Sequence, residues 1–213
     1  MKYKKKIVLF FIFLFLIVGC AKKESTVLKE EFTKKVEIFE KNKIATYRRE
    51  ISIEEYEERI KGSFDKLLEN RVVAIMRVII NEEKEKEYTE KFKTSGYKLD
   101  RIPEYMIYNV REIESEIEVY IVDNIFDGMV EGEKRVYLKK FTKFYFEGEL
   151  LKENVSTIYY NFKNIDGKWK ITEIRNDSES LDGLSIRKRK SVINDMDYSL
   201  TTDYIELFKI DRK

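Results

Sequence analysis

The feature that most constrains this chain is a change of hydrophobic period. Before Gly96 apolar side chains recur at helical spacing, and after it they recur at every second position. A chain that changes period once has its helices in one block and its strands in another. Each block is greasy on one side and must bury that side against the other. The order therefore predicts an α+β architecture: N-terminal helices packed on a curved antiparallel sheet of four or more strands.

In the helical block, Leu28, Phe32, Val36 and Phe39 recur at steps of four, four and three, with Lys and Glu between them. Ser52-Ile53-Glu54-Glu55 has the form of a capping box and opens a second helix. Its apolar stripe reads Ile53, Tyr56, Ile60, Phe64 and Leu67. "RVVAIMRVII", residues 71–80, is β-branched enough for a buried strand. No turn signal separates it from Leu68 behind or from the Glu/Lys-rich stretch 82–93 ahead, so it reads as helix, with Gly96 as the C-terminal stop.

In the strand block, residues 112–123 place Ile113, Ile117, Val119 and Ile121 on one face and Glu112, Glu114, Glu116 and Glu118 on the other. Further strands are expected at 134–146, 155–164 and 168–175, with Gly128, Gly132, Gly148 and Gly167 in the gaps. Asp166-Gly167 is a strong short-hairpin signal. The expected result is an antiparallel meander without a crossover helix. Residues 176–213 are less patterned: "LSIRKRKSVINDM" suggests a short helix, and "DYIELFKIDRK" an extra strand or a loose end.

The first twenty residues follow another logic. Lys2, Lys4, Lys5 and Lys6 precede an apolar run of twelve residues, Ile7 to Val18. That is short of the roughly 20 needed for a permanent membrane helix and suits a signal-peptide core. The run closes on Ile17-Val18-Gly19-Cys20, which resembles the lipobox of bacterial lipoproteins. The resemblance implies cleavage between Gly19 and Cys20, a diacylglycerol thioether on Cys20, and acylation of the new amine, palmitate being the expected kind of chain. It divides the chain into a signal peptide (1–19), a lipidated cysteine and tether (20–26), and one α+β domain (27–213, core about 50–175, extension 176–213). Its expected location is the cell envelope, anchored to the membrane through Cys20. Ala21 and Lys22 follow the cysteine where an Asp would imply retention at the inner membrane, so the outer membrane is expected if the organism has one.

With 1–19 removed, 38 basic side chains face 40 acidic ones, and this balance argues against a nucleic-acid partner. A single cysteine cannot make an internal disulfide, but a domain of this length can hold itself together by its core.

Helices followed by long antiparallel strands, closing on "NIDGKWKITEI", resemble the nuclear-transport-factor-2-like superfamily. The likeness spans about residues 50–175, and its specific part is Asp166 to Ile171. It implies a bent sheet wrapped around helices as a cone with a mouth at one end. Enzymes of that fold use an Asp or a His–Asp pair inside the cone, whereas this chain has no histidine.

The same composition offers no zinc or haem ligand set, so neither metal nor cofactor is expected. "DNIFDG", residues 123–128, lacks the alternating oxygen ligands of a calcium loop and reads as a hairpin loop. In "VYLKKFTKFYF", residues 136–146, a flat strand would align Tyr137, Lys139, Phe141, Lys143 and Tyr145 as a ligand-stacking face, making Tyr137, Phe141 and Tyr145 the candidate ligand contacts. The expectation we favour is a bulge near Lys139–Lys140 that turns the rings into the core and lets the lysines reach water. "RKRK", Arg187 to Lys190, reads as a solvated patch. The function expected is a non-catalytic binding or scaffolding module, taking a small apolar ligand or an envelope protein. The alternative is an envelope enzyme with a carboxylate–tyrosine site in the cone. A deep pocket with a raised carboxyl pKa would favour the enzyme, and a filled cone with an exposed apolar patch a protein partner.

Overall fold

The computed structural model describes residues 26–94, 107, 108, 110, 112–128, 130–180 and 204–212. The expected signal peptide with Gly19 and Cys20, most of the expected tether, Gly96 and the Arg187–Lys190 stretch lie outside the described residues.

Among the described residues, four helices precede a six-stranded antiparallel sheet that does not close. The first helix, α1 (26–47), has no glycine or proline and is laced by Glu31–Lys35 and Glu37–Lys41 ion pairs at 3.2 and 2.6 Å. Its expected stripe is its buried face: Phe32, Val36 and Phe39 are all in the core. Helix α2 (Ile53–Ile60) begins at the capping Ser52, whose hydroxyl accepts from the Glu55 N–H at 3.1 Å.

The stripe drawn from Ile53 to Leu67 is broken in the structure. Gly62 takes a left-handed φ of 76°, and residues 63–65 leave the helix to bond to the sheet. Ile171 N–H donates to the Ser63 carbonyl at 2.9 Å, and Asp65 N–H to the Ile171 carbonyl at 3.0 Å. This bridge buries Phe64 completely. The Asp65 carboxylate then caps α3 (Lys66–Ile79) by accepting from Leu68 N–H at 2.7 Å. Leu67, expected on the buried stripe of the preceding helix, is 81% exposed. Residues 71–79 are helical as expected, and Ile80 is the C-cap. Asn81 starts a new helix, α4 (Glu82–Thr94), its side chain accepting from Glu83 N–H at 2.8 Å.

The strands are β1 (Ile113–Val122), β2 (Phe126–Asp127), β3 (Glu133–Phe146), β4 (Glu149–Ile165), β5 (Lys168–Ser180) and β6 (Tyr204–Ile210). The order across the sheet is β5-β4-β3-β1-β6, with short β2 beside β3. The meander is as expected, and the C-terminal "YIELFKI" is an extra strand against β1 rather than a loose end. Two hairpins turn on residue pairs with positive φ, Glu147-Gly148 (49° and 88°) and Asp166-Gly167 (52° and 78°). Such turns match the right-handed twist of the flanking strands.

The bulge expected near Lys139–Lys140 is absent. Pairing of β3 with β4 runs unbroken from Glu133 to Phe144, and the register shifts only between Phe144 and Tyr145. The strand has no need to switch faces, because both lysines find partners where they lie. Lys139 sits with its ammonium 4.7 Å from the centre of the Tyr204 ring, and Lys140 faces the helices beside Glu40. Bulges in the β1–β6 and β4–β5 ladders supply bending instead.

The core lies between α1 and the inner face of the sheet. Phe32 stacks on Phe162 at 4.1 Å and meets Trp169 edge-on at 5.2 Å. Phe39 meets Phe64 and Tyr160 edge-on, at 5.0 and 6.2 Å. At the far end of α1, Arg48 donates to the Ser115 hydroxyl at 3.0 Å. So α1 starts beside the β4–β5 hairpin and ends near the start of β1. Among the described residues, no helix is long and apolar enough to cross a membrane.

Candidate functional site

Two places stand out, one inside the domain and one on its helical side. The inner one is a polar centre in the apolar core. Alternation along β3 points Val136, Leu138, Lys140, Thr142 and Phe144 toward the helices, and pairing with β4 sets Tyr160, Ile158, Ser156, Asn154 and Lys152 beside them. One half of this inner face is apolar and the other polar, and all ten side chains are buried.

Glu40 of α1, fully buried, reaches this centre. The Tyr160 hydroxyl and the Lys43 ammonium both donate to its Oε1, while Oε2 accepts no hydrogen bond from the protein. Burial pushes the Glu40 carboxyl up. The positive charges of Lys43 and Lys140, with hydrogen bonds from Lys43 and Tyr160, more than offset this and hold it below its ordinary value. Tyr160 is pushed well above its ordinary value by burial and the adjacent carboxylate, and Tyr56, also buried, is pushed up for the same two reasons together with Tyr47. Near neutral pH the centre is thus a carboxylate between two ammonium groups, with neutral tyrosines around it. Neither Glu40 nor Tyr160 exchanges a proton readily there.

The Glu40–Tyr160 pair was hidden in the sequence but left two traces. Glu40 follows Val36 by four residues, where the α1 stripe calls for an apolar side chain. Lys140 stands at an inward position between Leu138 and Thr142. Opposite charges on two inward stripes are the signal, and it becomes specific only when the stripes are known to face each other.

The sequence candidates Tyr137, Phe141 and Tyr145 lie half-buried on the opposite, outer face of the sheet. They do not converge. Tyr137 meets Phe126 edge-on at 5.5 Å, and Phe141 meets Tyr120 edge-on at 5.7 Å. The Tyr145 hydroxyl donates to Glu116 Oε2 at 2.9 Å, where Lys143 also arrives at 3.3 Å. Burial and that carboxylate push Tyr145 up to about 12, while its hydroxyl and Lys143 hold Glu116 below the ordinary carboxyl value despite partial burial. The Arg135 guanidinium lies 4.3 Å from the Tyr159 ring centre and Arg212 lies 4.5 Å from that of Tyr145. Rings and cations on this face are occupied with each other.

The second place is an apolar groove of about 600 Å³ lined by Tyr47, Ala74, Ile75, Val78, Ile79 and Tyr88. Helix α3 creates it by being apolar on more than one side. Val73, Met76 and Ile79 face the core, while Leu67, Ile75 and Val78 are 81, 48 and 66% exposed. The exposed stripe from Leu67 to Val78 is about 16 Å long at 1.5 Å per residue. A more polar cleft of about 630 Å³ lies nearby, edged by Arg49, Glu54, Glu55 and Arg77. Its arginines are engaged, Arg49 with Glu85 at 2.9 Å and Arg77 with Glu57 at 2.8 Å. Among the described residues, no group of three or more His, Cys, Asp or Glu side chains is arranged to hold a metal ion.

No protein-family model, curated protein or solved structure matches this chain.

Proposed function

We propose that the chain is a lipid-anchored cell-envelope protein whose domain is a non-catalytic binding or scaffolding module, with a protein partner seated on α3. The observation that carries the binding reading is the exposed apolar stripe of Leu67, Ile75 and Val78 beside the groove floored by Tyr47 and Tyr88. An uncovered stripe of this kind on a helix fits a partner's apolar segment. The anchor rests on the basic start, the twelve-residue apolar run and Ile17-Val18-Gly19-Cys20.

One observation favours the enzyme reading: a carboxylate–tyrosine pair, Glu40 and Tyr160, sits inside the domain. Its electrostatics weigh against that role, since the carboxyl is lowered and the phenol raised, the reverse of an acid–base pair tuned toward neutrality.

Two experiments test the two halves. Cys20→Ser should abolish lipidation, and chain whose signal peptide is cleaved elsewhere should leave the membrane fraction. An unchanged membrane fraction and an identical unlipidated N-terminus in both proteins would overturn the anchor. A photo-cross-linking residue at Ile75 or Val78 in intact envelopes should join one and the same polypeptide, and Leu67→Glu should abolish the adduct while the fold persists. Diffuse labelling equal to that from exposed Glu149 would overturn the partner site.

A further inference from the structure

From the start of α1 we infer which surface meets the lipid: the end of the sheet carrying the β4–β5 hairpin, with Trp169 and Lys163, Lys168 and Lys170, rests against the phospholipid headgroups. This rests on the Cys20 anchor proposed above and goes beyond it by giving the domain an orientation. Six peptide steps separate Cys20 from Thr26, where α1 starts, and whatever their conformation they reach at most about 20 Å. The beginning of α1 is therefore held at the membrane, and what surrounds it is held there too.

Several contacts identify those surroundings. Lys29 forms an ion pair with Asp123 in the loop after β1. Phe32, about 9 Å along the helix from Thr26 at 1.5 Å per residue, stacks on Phe162 and meets Trp169. The hairpin continues past Trp169 to Asp166-Gly167, away from the far end of α1. Arg48, Ser115 and the β3–β4 turn at Glu147-Gly148 lie at the other end of a helix about 32 Å long.

The chemistry of this rim suits a headgroup layer. Pairing sets Lys163 opposite Lys170 and Ile165 opposite Lys168, so the three lysines share the outer face of the hairpin. Among the described residues none of the three has an ion-pair partner, unlike Lys29 with Asp123 or Lys134 with Asp127. Trp169, half-buried, lies on the inner face with its ring against Phe32, and it is the kind of amphipathic ring enriched at membrane–water interfaces. Val27 and Val130 are 56 and 54% exposed at the same end. Glu131, Glu133 and Asp166 share the rim, so this is not a polybasic patch that would seek a membrane unaided. The anchor supplies the proximity, and the lysines and apolar side chains then set the orientation.

Trp169 is the only tryptophan in the chain and serves as the reporter. The acylated protein is reconstituted into phosphatidylethanolamine–phosphatidylglycerol vesicles, some carrying a quencher on the headgroup. The expected result is loss of Trp169 fluorescence with the headgroup quencher. A far-end reporter, Glu149→Trp in a Trp169→Phe background, should keep its fluorescence. Lys163→Gln, Lys168→Gln and Lys170→Gln together should weaken the Trp169 quenching at low salt while flotation with vesicles is unchanged. Protein that floats with the vesicles yet shows no quenching of Trp169, or equal quenching at both ends, overturns the orientation and leaves the anchor standing. Protein that does not float overturns the anchor and the orientation with it.

Discussion

Replacing Glu40 by Gln removes one negative charge from a site with no exposure to water, a charge that offsets those of Lys43 and Lys140. Breaking a buried ion pair by removing one partner costs about 3–5 kcal/mol. Lys43, 15% exposed, can turn outward, whereas Lys140 at 4% cannot, so the lower end, about 3 kcal/mol, is expected. With a urea slope near 2 kcal/mol per molar, the unfolding midpoint should fall by about 1.5 M at pH 7. The carboxyl is lower in the folded chain than in the unfolded one, so its stabilisation is complete above an unfolded value of about 4.3 and is lost as the pH falls through the folded value. The gap between parent and variant should therefore be widest near neutrality and narrow in acid. Glu40→Leu combined with Lys43→Met should recover much of the loss, because a buried pair replaced by apolar groups is often neutral. Urea titrations of the three proteins from pH 3 to 7 decide the matter. A Glu40→Gln midpoint within about 0.3 M of the parent's, which is below 1 kcal/mol on the same slope, with a parallel pH curve, would refute the idea that this centre is a stabilising ion pair.

Other consequences are simpler to read. Gly167→Ala should cost about 1–2 kcal/mol in the same urea assay, from the left-handed backbone alone, since a Cβ there would touch nothing within 4 Å. Tyr145→Phe removes a donor to Glu116, so the Glu116 carboxyl should titrate at higher pH in a carbon-detected NMR titration. An unmoved titration would show that Lys143 alone holds it down. Leu67→Glu should change stability by no more than about 0.5 kcal/mol, as a surface site would, while abolishing the groove adduct.

The mutations divide along what was legible in the chain. Period and turn chemistry are local, so the helices of the first half, the meander of the second and the Asp166-Gly167 hairpin could be read directly, and all are present. Gly62 and Asn81 are visible breakers too, but the apolar helical period continues across both. Apolar Phe64 and Leu67 fit a helical period as well as they fit a turn and the next helix, and only the bond between Ser63 and Ile171 separates them. Tyr137, Phe141 and Tyr145 were readable as one face of one strand. Whether that face looks inward depended on a bulge, and the partners that made the bulge unnecessary, Tyr204 and Glu40, lie 65 and 100 residues away.

The kinds of elements and their order follow from spacing between neighbours in the chain, so both are legible in it. Which charges are buried together, and which apolar stripe stays outside, follows only from how the elements pack. Glu40 and Lys140 come within electrostatic reach of each other only when α1 crosses the sheet at that register. Leu67, Ile75 and Val78 become a surface only because Val73, Met76 and Ile79 fill the space available on the core side of the same helix. Burial is a property of what lies opposite, and a linear pattern does not contain the opposite side.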